Sequence, residues 1–374
     1  MEVCFLTGKA TTALLITVCG AAAFWGVRYL KESGILYKRP QPRYLTEDEA
    51  SVRPVYAALS KKEQAIYEAL CRGIGGHKEN IPLPYDVDGD IYSRVYCIVE
   101  KQESEFFYLD SVYYTAEKVR DAKIVYRDNE AAAAEGAEAL AAAKEAALAK
   151  IPLTSDYDKI MYINDYLVEN CQYYTGGDAD HGSTAYGCLV EGRASCEGYA
   201  KAFDLLASGC GLESVLITGT TDTGENHAWN QVRSDGEWYN IDVTWADTDE
   251  YNDVRRAYFL VEDDSFGRTH FADCENFEPF SCTAVEDNYY IKNGLYAESM
   301  AEGEDILRRE LNLGETAVEL RFSCEEAYDE FKSRFFTDKY IFTVMEECGI
   351  DLSREQTATI KECAGDYCLT VYIE

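Results

Sequence analysis

Cys196 is the residue most able to act as a nucleophile, because of where it lies in the stretch ASCEGYA (194–200). Small residues surround it, and the residues after it have the spacing of a helix whose buried side begins at Ala200. The first turn of a helix presents unpaired N–H groups and the positive end of the helix dipole, which favour a thiolate. The chain has 14 cysteines, however, and most are expected to be small buried residues. Position alone therefore does not decide whether Cys196 is a reactive nucleophile or a buried structural residue.

His227 and Asp242 lie on the two strands of a predicted hairpin, HAWNQVRSDGEWYNIDVTW (227–245). The pair Asp235-Gly236 is a strong signal for a two-residue turn. That turn fixes a register in which Asp242 is the diagonal neighbour of His227 on one face, about 7–8 Å away at the backbone. The opposite face is apolar and suits a core. The pattern predicts an imidazole oriented by a carboxylate; the alternative is a hydrogen-bonded strand-end histidine and a turn-stabilising acid.

A cysteine, a histidine and an aspartate in this arrangement would form a catalytic triad. The carboxylate would orient the imidazole, and the imidazole would take the thiol proton and later return a proton to a leaving group. Such a triad attacks an amide carbonyl and passes through a thioester.

The run from 192 to 247 resembles the transglutaminase-like family, a part of the papain-fold superfamily that includes bacterial members. Three blocks match in order, CEGYA (196–200), HAWN (227–230) and DVTW (242–245), and INDYLVENCQYY (163–174) resembles the helix that precedes the family's core. The resemblance covers about 153–250. It implies an α+β fold in which the cysteine-bearing helix packs on an antiparallel sheet. It also implies that Cys196, His227 and Asp242 are nucleophile, base and orienting acid.

Two features depart from the family pattern. Ser195 precedes the cysteine, where the family commonly has a small or β-branched apolar residue, and the family's oxyanion-stabilising side chain has no obvious match. Tyr186, Gly187 and the backbone N–H of Cys196 are the candidates for that role. Trp229 and Trp245 could wall the cleft or belong to the core.

The other histidines suggest no second site. His181 is expected in a surface loop, although it could line the cleft, and His77 and His270 show no convergent partners. His270 with Cys274 could hold a metal only with ligands from elsewhere, so we predict neither a metal nor another cofactor. The sequence has no P-loop, GxGxxG or GxSxG pattern to support a nucleotide-binding or serine-hydrolase function.

Charge and hydropathy restrict the partners. The formal net charge of −33 argues against nucleic acid, which is bound by clustered Lys and Arg. Residues 10–27 are uncharged and long enough to span a bilayer, so residues 10–30 are predicted to be a membrane anchor or a signal sequence. Basic residues after this run favour placement of the rest of the chain in the cytoplasm. Relatives of this layout more often act outside the membrane, and we expect an extracytoplasmic or secreted catalytic domain.

Composition and motifs divide the chain into four parts: an anchor or signal segment with a linker (1–44), an N-terminal α+β region (45–152), a transglutaminase-like catalytic domain (153–285) and a small C-terminal α+β domain (286–374). The sequence thus predicts a cysteine enzyme acting on a protein or peptide substrate at the cell surface, by hydrolysis or by transfer to an amine. The alternative is a membrane-tethered module that binds peptide or cell wall and has a catalytically silent site.

Overall fold

A computed structural model of the chain describes residues 39–152, 154–174, 181–248, 253–352, 357–363 and 367–373. The apolar helix predicted at 10–27 lies outside these residues. Among the helices that are described, none is both long and apolar enough to cross a membrane.

Thirteen α-helices are described, some of only one turn. They are α1 (Glu47–Ser51), α2 (Pro54–Ala58), α3 (Lys61–Gly75), α4 (Gly89–Gln102), α5 (Glu130–Leu148), α6 (Asp156–Asn170), α7 (Cys196–Gly209), α8 (Val243–Ala246), α9 (Asp263–Phe266), α10 (Tyr289–Lys292), α11 (Met300–Leu313), α12 (Glu325–Lys332) and α13 (Ile341–Glu347). Short 3-10 and π turns occupy His181–Ser183, Gly187–Glu191 and Ser333–Thr337.

The described strands form three larger sheets and two short pairs. They are β1 (Asn80–Asp88), β2 (Leu109–Tyr113), β3 (Lys118–Tyr126), β4 (Gln172–Tyr173), β5 (Arg193–Ala194), β6 (Ser214–Thr221), β7 (Asn226–Ser234), β8 (Glu237–Ile241), β9 (Asp247–Thr248), β10 (Asp253–Val254), β11 (His270–Ala272), β12 (Tyr296–Ala297), β13 (Ala317–Phe322), β14 (Ala358–Cys363) and β15 (Cys368–Ile373). The sheet orders are β1-β3-β2, β11-β6-β7-β8 and β12-β13-β15-β14, with β4-β5 and β9-β10 as pairs. The chain is thus α+β, as predicted.

Helix α4 differs from the sequence-based expectation. The run RVYCIVE (94–100) looks β-like because it is rich in β-branched and aromatic residues, yet it lies inside α4. Tyr92, Val95, Tyr96 and Val99 are buried at helical spacing, so packing of that stripe overrides local strand propensity. Two other helices begin at the caps that the sequence indicates, with capping boxes before α1 and α6, and the structure adds an Asn129 cap before α5.

The central sheet carries the cysteine helix. β6, β7, β8 and β11 are antiparallel, and α7 packs against β6 and β7. The hairpin turns at Asp235-Gly236, both with positive φ, and pairs Ser234 with Glu237 in the predicted register. The second strand is shorter than the sequence suggested, since β8 ends at Ile241 and the chain enters α8.

Two hydrophobic cores lie in the described part of the chain. The larger one contains residues from Val55 to Tyr290, on both sides of position 152, together with Cys368 of β15. The smaller one begins at Ala297 and packs α11, α12 and α13 on the sheet of β13, β14 and β15. The N-terminal region therefore supports the cysteine helix directly, whereas the C-terminal unit has its own core.

Candidate active site

Cys196 is the first residue of α7 and is half-buried. Its side chain packs against a small cluster of Ala200, Leu216 and Ala228. The turn before the helix is pinned by the Ser195 N–H, which donates to the carbonyl oxygen of Gly182 at 2.9 Å. As a result the sulfur lies at the positive end of the helix dipole without being enclosed in the core.

Gly198 is required for this placement. A Cβ at that position would lie 2.3 Å from the carbonyl oxygen of Gly182, closer than any real contact. The first turn of α7 therefore rests directly on the backbone of the preceding loop. Any side chain here would push the helix that carries Cys196 away from that loop.

A partly buried charge network holds α7 against α4 and begins one residue from Cys196. Lys201 Nζ lies 2.9 Å from Glu197 and 3.0 Å from Glu100, and Lys101 Nζ lies 2.7 Å from Glu197. Burial opposes ionisation of Glu197, but Lys201 and Lys101 outweigh it and lower its pKa to about 2. Burial also opposes the charge of Lys201, whose pKa is nevertheless raised by Glu100 and Glu197. The N-terminal region thereby fixes the helix that carries Cys196.

His227 lies between Asp242 and Cys196. Its Nε2–H donates to Asp242 Oδ2 at 2.7 Å, and both side chains are buried. Nδ1 is thus the nitrogen free to face the thiol. Burial disfavours the charged ring, but the Asp242 carboxylate and a hydrogen bond with Cys196 outweigh it and raise the pKa of His227 to about 10. The structure brings the three predicted residues together with the imidazole poised to hold a proton.

Asp242 accepts four hydrogen bonds. As the N-cap of α8, its Oδ1 accepts from the backbone N–H groups of Thr244 (2.9 Å) and Trp245 (3.2 Å). Its Oδ2 accepts from His227 and, at 3.1 Å, from His270 Nε2. Burial alone would raise the pKa of Asp242, yet the two imidazoles hold it well below its usual range. The end of β8 at Ile241 follows from this cap, because the carboxylate stabilises a helix start instead of a longer strand.

His270 is the functional-site residue that sequence reasoning missed, and the expectation that it has no convergent partner is wrong. It lies on β11, which pairs with β6, so its contact with Asp242 depends on long-range strand pairing that no local pattern reveals. Cys274, its suggested metal partner, is exposed. The only available signal was that histidine is rare in this chain, with four in all.

Two further side chains border the cysteine and histidine. Tyr173 pairs through its backbone with Ala194 and is 39% exposed. Burial, together with the charges of Cys196, Asp242 and Glu225, raises the pKa of Tyr173. The half-buried Trp245 has its ring centre 5.4 Å from that of His227 and is a wall of the site, whereas Trp229 is buried in the core.

The other oxyanion candidates and the other histidines have structural roles. Tyr186 stacks on Phe107 at 4.7 Å, and a Cβ on Gly187 would lie 2.2 Å from the His181 carbonyl oxygen. His181 Nε2 lies 2.9 Å from Asp128, and His77 Nε2 lies 3.0 Å from the Asp128 carbonyl oxygen. Of the suggested oxyanion groups, the Cys196 backbone N–H is the one that the fold directs to the start of α7.

His227, Asp242 and His270 are also the one set, among the residues described, whose ligand atoms could hold a metal ion, since they lie within 4.8 Å of one another. Each Nε2, however, is matched to the carboxylate as a hydrogen-bond donor. A metal on these atoms would have to replace both protons. The observed distances, 2.7 and 3.1 Å, fit the hydrogen-bonded arrangement.

Comparison with known proteins agrees with the family resemblance. Residues 145–243 match the family model described as the transglutaminase-like superfamily, from the last turn of α5 to just past Asp242. The resemblance drawn from the three sequence blocks is confirmed for this part of the chain.

Two curated relatives carry the name kyphoscoliosis peptidase. The chain is 30% identical over 159 residues to the human protein, which is 35% of this chain and 23% of that protein. It is 29% identical over 133 residues to the mouse protein, or 29% of this chain and 20% of that protein. The chain thus matches less than a quarter of the length of either relative. A solved structure described as that of a TGase is 19% identical, with 31% of this chain and 34% of that chain covered and a TM-score of 0.27, too low to carry an argument.

Proposed function

We propose that this chain is a cysteine enzyme of the acyl-transfer type that cleaves amide bonds in peptides or proteins. The observation that supports the proposal most is the position of His227, which is hydrogen-bonded to Asp242 through Nε2 and interacts with Cys196. A buried imidazole with a carboxylate on one nitrogen and a thiol on the other is what general-base activation of a cysteine requires.

The first half of the reaction forms a thioester. The Cys196 thiolate adds to the amide carbonyl, and the oxyanion that develops is stabilised by the Cys196 backbone N–H at the start of α7. The His227 imidazolium then donates its Nδ1 proton to the leaving nitrogen, the C–N bond breaks, and an amine or ammonia departs. Asp242 stabilises the charged imidazole throughout and remains ionised.

The second half resolves the thioester. Neutral His227 takes a proton from water, the resulting hydroxide adds to the thioester carbonyl, and the C–S bond breaks to release a carboxylic acid. The proton that His227 took from water stays on the ring, so the departing thiolate and the imidazolium re-form the resting pair, and the acid's own proton passes to solvent and leaves the product ionised at neutral pH. We propose water as the acceptor, in keeping with relatives that are named peptidases. An amine acceptor would give transamidation by the same steps.

We also propose that residues 10–30 attach the chain to a membrane and that the catalytic domain acts outside the cytoplasm, on protein or peptide substrates at the cell surface. The support is the uncharged run at 10–27, which is long enough for a bilayer. Protease added to intact cells should digest the catalytic domain. Protection until lysis would contradict the outward placement.

The reaction can be tested with a peptide mixture of varied sequence in ¹⁸O-labelled water containing a primary-amine probe. Mass spectrometry should show new carboxyl termini with ¹⁸O, lost in Cys196→Ala and kept in Cys274→Ala, which removes an exposed thiol. Amine-coupled products would assign transamidation instead of hydrolysis. Turnover that survives in Cys196→Ala would refute the proposed nucleophile.

A further inference from the structure

The Asp242 carboxylate has two imidazole partners, and the proposed triad uses only one. His227 and His270 both point Nε2 at the same oxygen, Oδ2, at 2.7 and 3.1 Å. An ionised carboxylate only accepts hydrogen bonds, so each ring must donate Nε2–H. The negative charge at Oδ2 is therefore shared between two donors instead of being directed wholly at His227.

The tautomer of His270 is fixed by its second nitrogen. Nδ1 lies 2.8 Å from the Thr269 hydroxyl. Whether this hydroxyl donates to a neutral ring or accepts from a charged one, Nε2–H still points at Asp242. Both ring nitrogens are thus satisfied, as expected for a buried histidine.

Aromatic packing holds the His270 ring in place. Phe266 stacks on it with ring centres 4.0 Å apart, and Trp245, Trp229 and Tyr258 surround it at 4.5, 5.2 and 5.2 Å. The side chain has no exposed surface. It cannot reach substrate, and its one polar contact toward the proposed active site is Asp242.

We propose that His270 is a positioning residue. Its hydrogen bond holds the Asp242 carboxylate between the two imidazole rings, and it limits how strongly Asp242 retains the proton on His227. The inference rests on the proposed function, because His270 acts on Cys196 only through Asp242 and His227. A general acid must release its proton to the leaving group, and a carboxylate bonded to His227 alone would retain that proton more strongly. Groups facing His227 come from three other elements: Cys196 on α7, Asp242 before α8 and His270 on β11.

Substitution of His270 separates this role from simple packing. In His270→Leu we expect kcat to fall about 10- to 100-fold, the range for losing one hydrogen bond to a charged group, with KM changed less than about twofold. Asp242 Oδ2 then accepts from His227 alone, so the alkaline limit of kcat/KM should move to higher pH. His270→Gln places an amide donor near the position of Nε2 and should recover kcat to within about threefold of wild type.

Two variants serve as matched controls. Thr269→Val removes the hydroxyl behind His270 without touching Asp242, and should lower kcat less than His270→Leu does. Phe259→Leu creates a cavity at a buried aromatic side chain whose ring packs on Tyr157. It should lower the melting temperature and leave the pH profile unchanged.

Substrate-free alkylation of Cys196 by iodoacetamide, read by peptide mass spectrometry, distinguishes the possible failures. If Cys196 reacts equally fast in wild type and His227→Ala, the proposed function itself is refuted. If the rate depends on His227 but His270→Leu keeps the wild-type kcat and alkaline limit, only the role of His270 is refuted. Recovery of one equivalent of zinc from the purified wild-type protein, absent from His270→Leu, would likewise overturn it in favour of a metal site.

Discussion

Replacing Asp242 by Asn tests how the carboxylate controls His227. The Asn oxygen can still accept from the backbone N–H groups of Thr244 and Trp245, so the cap of α8 is kept. The amide NH₂ then faces two Nε2–H groups. His227 must then either lose that hydrogen bond or change tautomer, so that its proton lies on Nδ1. A neutral ring that already carries its proton on Nδ1 cannot take a proton from Cys196 through that nitrogen.

The expected loss of activity is large. The carboxylate is fully buried and directly bonded to His227, and removing one partner of a buried ion pair typically costs about 3–5 kcal/mol. At 1.36 kcal/mol per tenfold, this corresponds to about 10²- to 10⁴-fold in kcat/KM. The fall in Asp-to-Asn variants of serine-protease triads, about 10⁴-fold, lies at the upper end of this range.

Peptide cleavage and alkylation of Cys196 should both report the change. Asp263→Asn is the control, since that carboxylate also accepts from a side-chain amide, Asn240 Nδ2, and a backbone N–H, Cys282, both at 2.9 Å. It contacts no imidazole in the described structure and should stay within about twofold of wild type. Activity of Asp242→Asn within about fivefold of wild type would refute the reasoning.

The other predictions concern pH and the support of α7. The pKa of His227 is raised from 6.5 to about 10, so the stability that this residue contributes is complete below pH 6.5 and is lost as the pH rises towards 10. The pKa of Asp242 is lowered from 3.8, so the stability that this residue contributes is lost as the pH falls below 3.8. The difference in unfolding free energy between wild type and Asp242→Asn, measured with urea, should thus be largest between pH 3.8 and 6.5, and a pH-independent difference would contradict this. Lys201→Met removes the buried cation between Glu197 and Glu100, which keep Lys101 as a partner, and should cost about 1.5–3 kcal/mol by the same measurement, whereas a loss under 1 kcal/mol would show that the network is dispensable. Gly198→Ala should lower both the melting temperature and the Cys196 alkylation rate, because its Cβ meets a backbone carbonyl at 2.3 Å; unchanged values would mean that the loop yields freely.

The sequence was sufficient to predict the relation of His227 to Asp242 because that relation is local. An Asp-Gly turn fixes the hairpin register, and the alternation of apolar residues fixes which face each side chain takes. The start of α7 at Cys196 and the capping box before α6 are likewise determined by neighbouring residues. These features depend on residues no more than 15 positions apart in the sequence.

What could not be predicted depends on contacts between distant segments. His270 reaches Asp242 only because β11 adds to the edge of β6, and α4 is helical because its buried stripe packs on the rest of the core. The buried Lys201 network joins α7 to α4 across about a hundred residues of sequence, as the separation of Lys201 and Glu100 shows. No single stretch of sequence contains such information.

The most direct test of the account is a competition among the chain's thiols for limiting iodoacetamide, with each cysteine quantified by peptide mass spectrometry. Cys274 and Cys324 are exposed, whereas Cys196 is half-buried, so accessibility alone would make the first two react faster. An activated nucleophile reverses that order. We predict that Cys196 is modified at least about tenfold faster than either, and that His227→Ala abolishes this advantage. Modification of the exposed cysteines first, with Cys196 unaffected by His227→Ala, would contradict the assignment of Cys196 as the nucleophile.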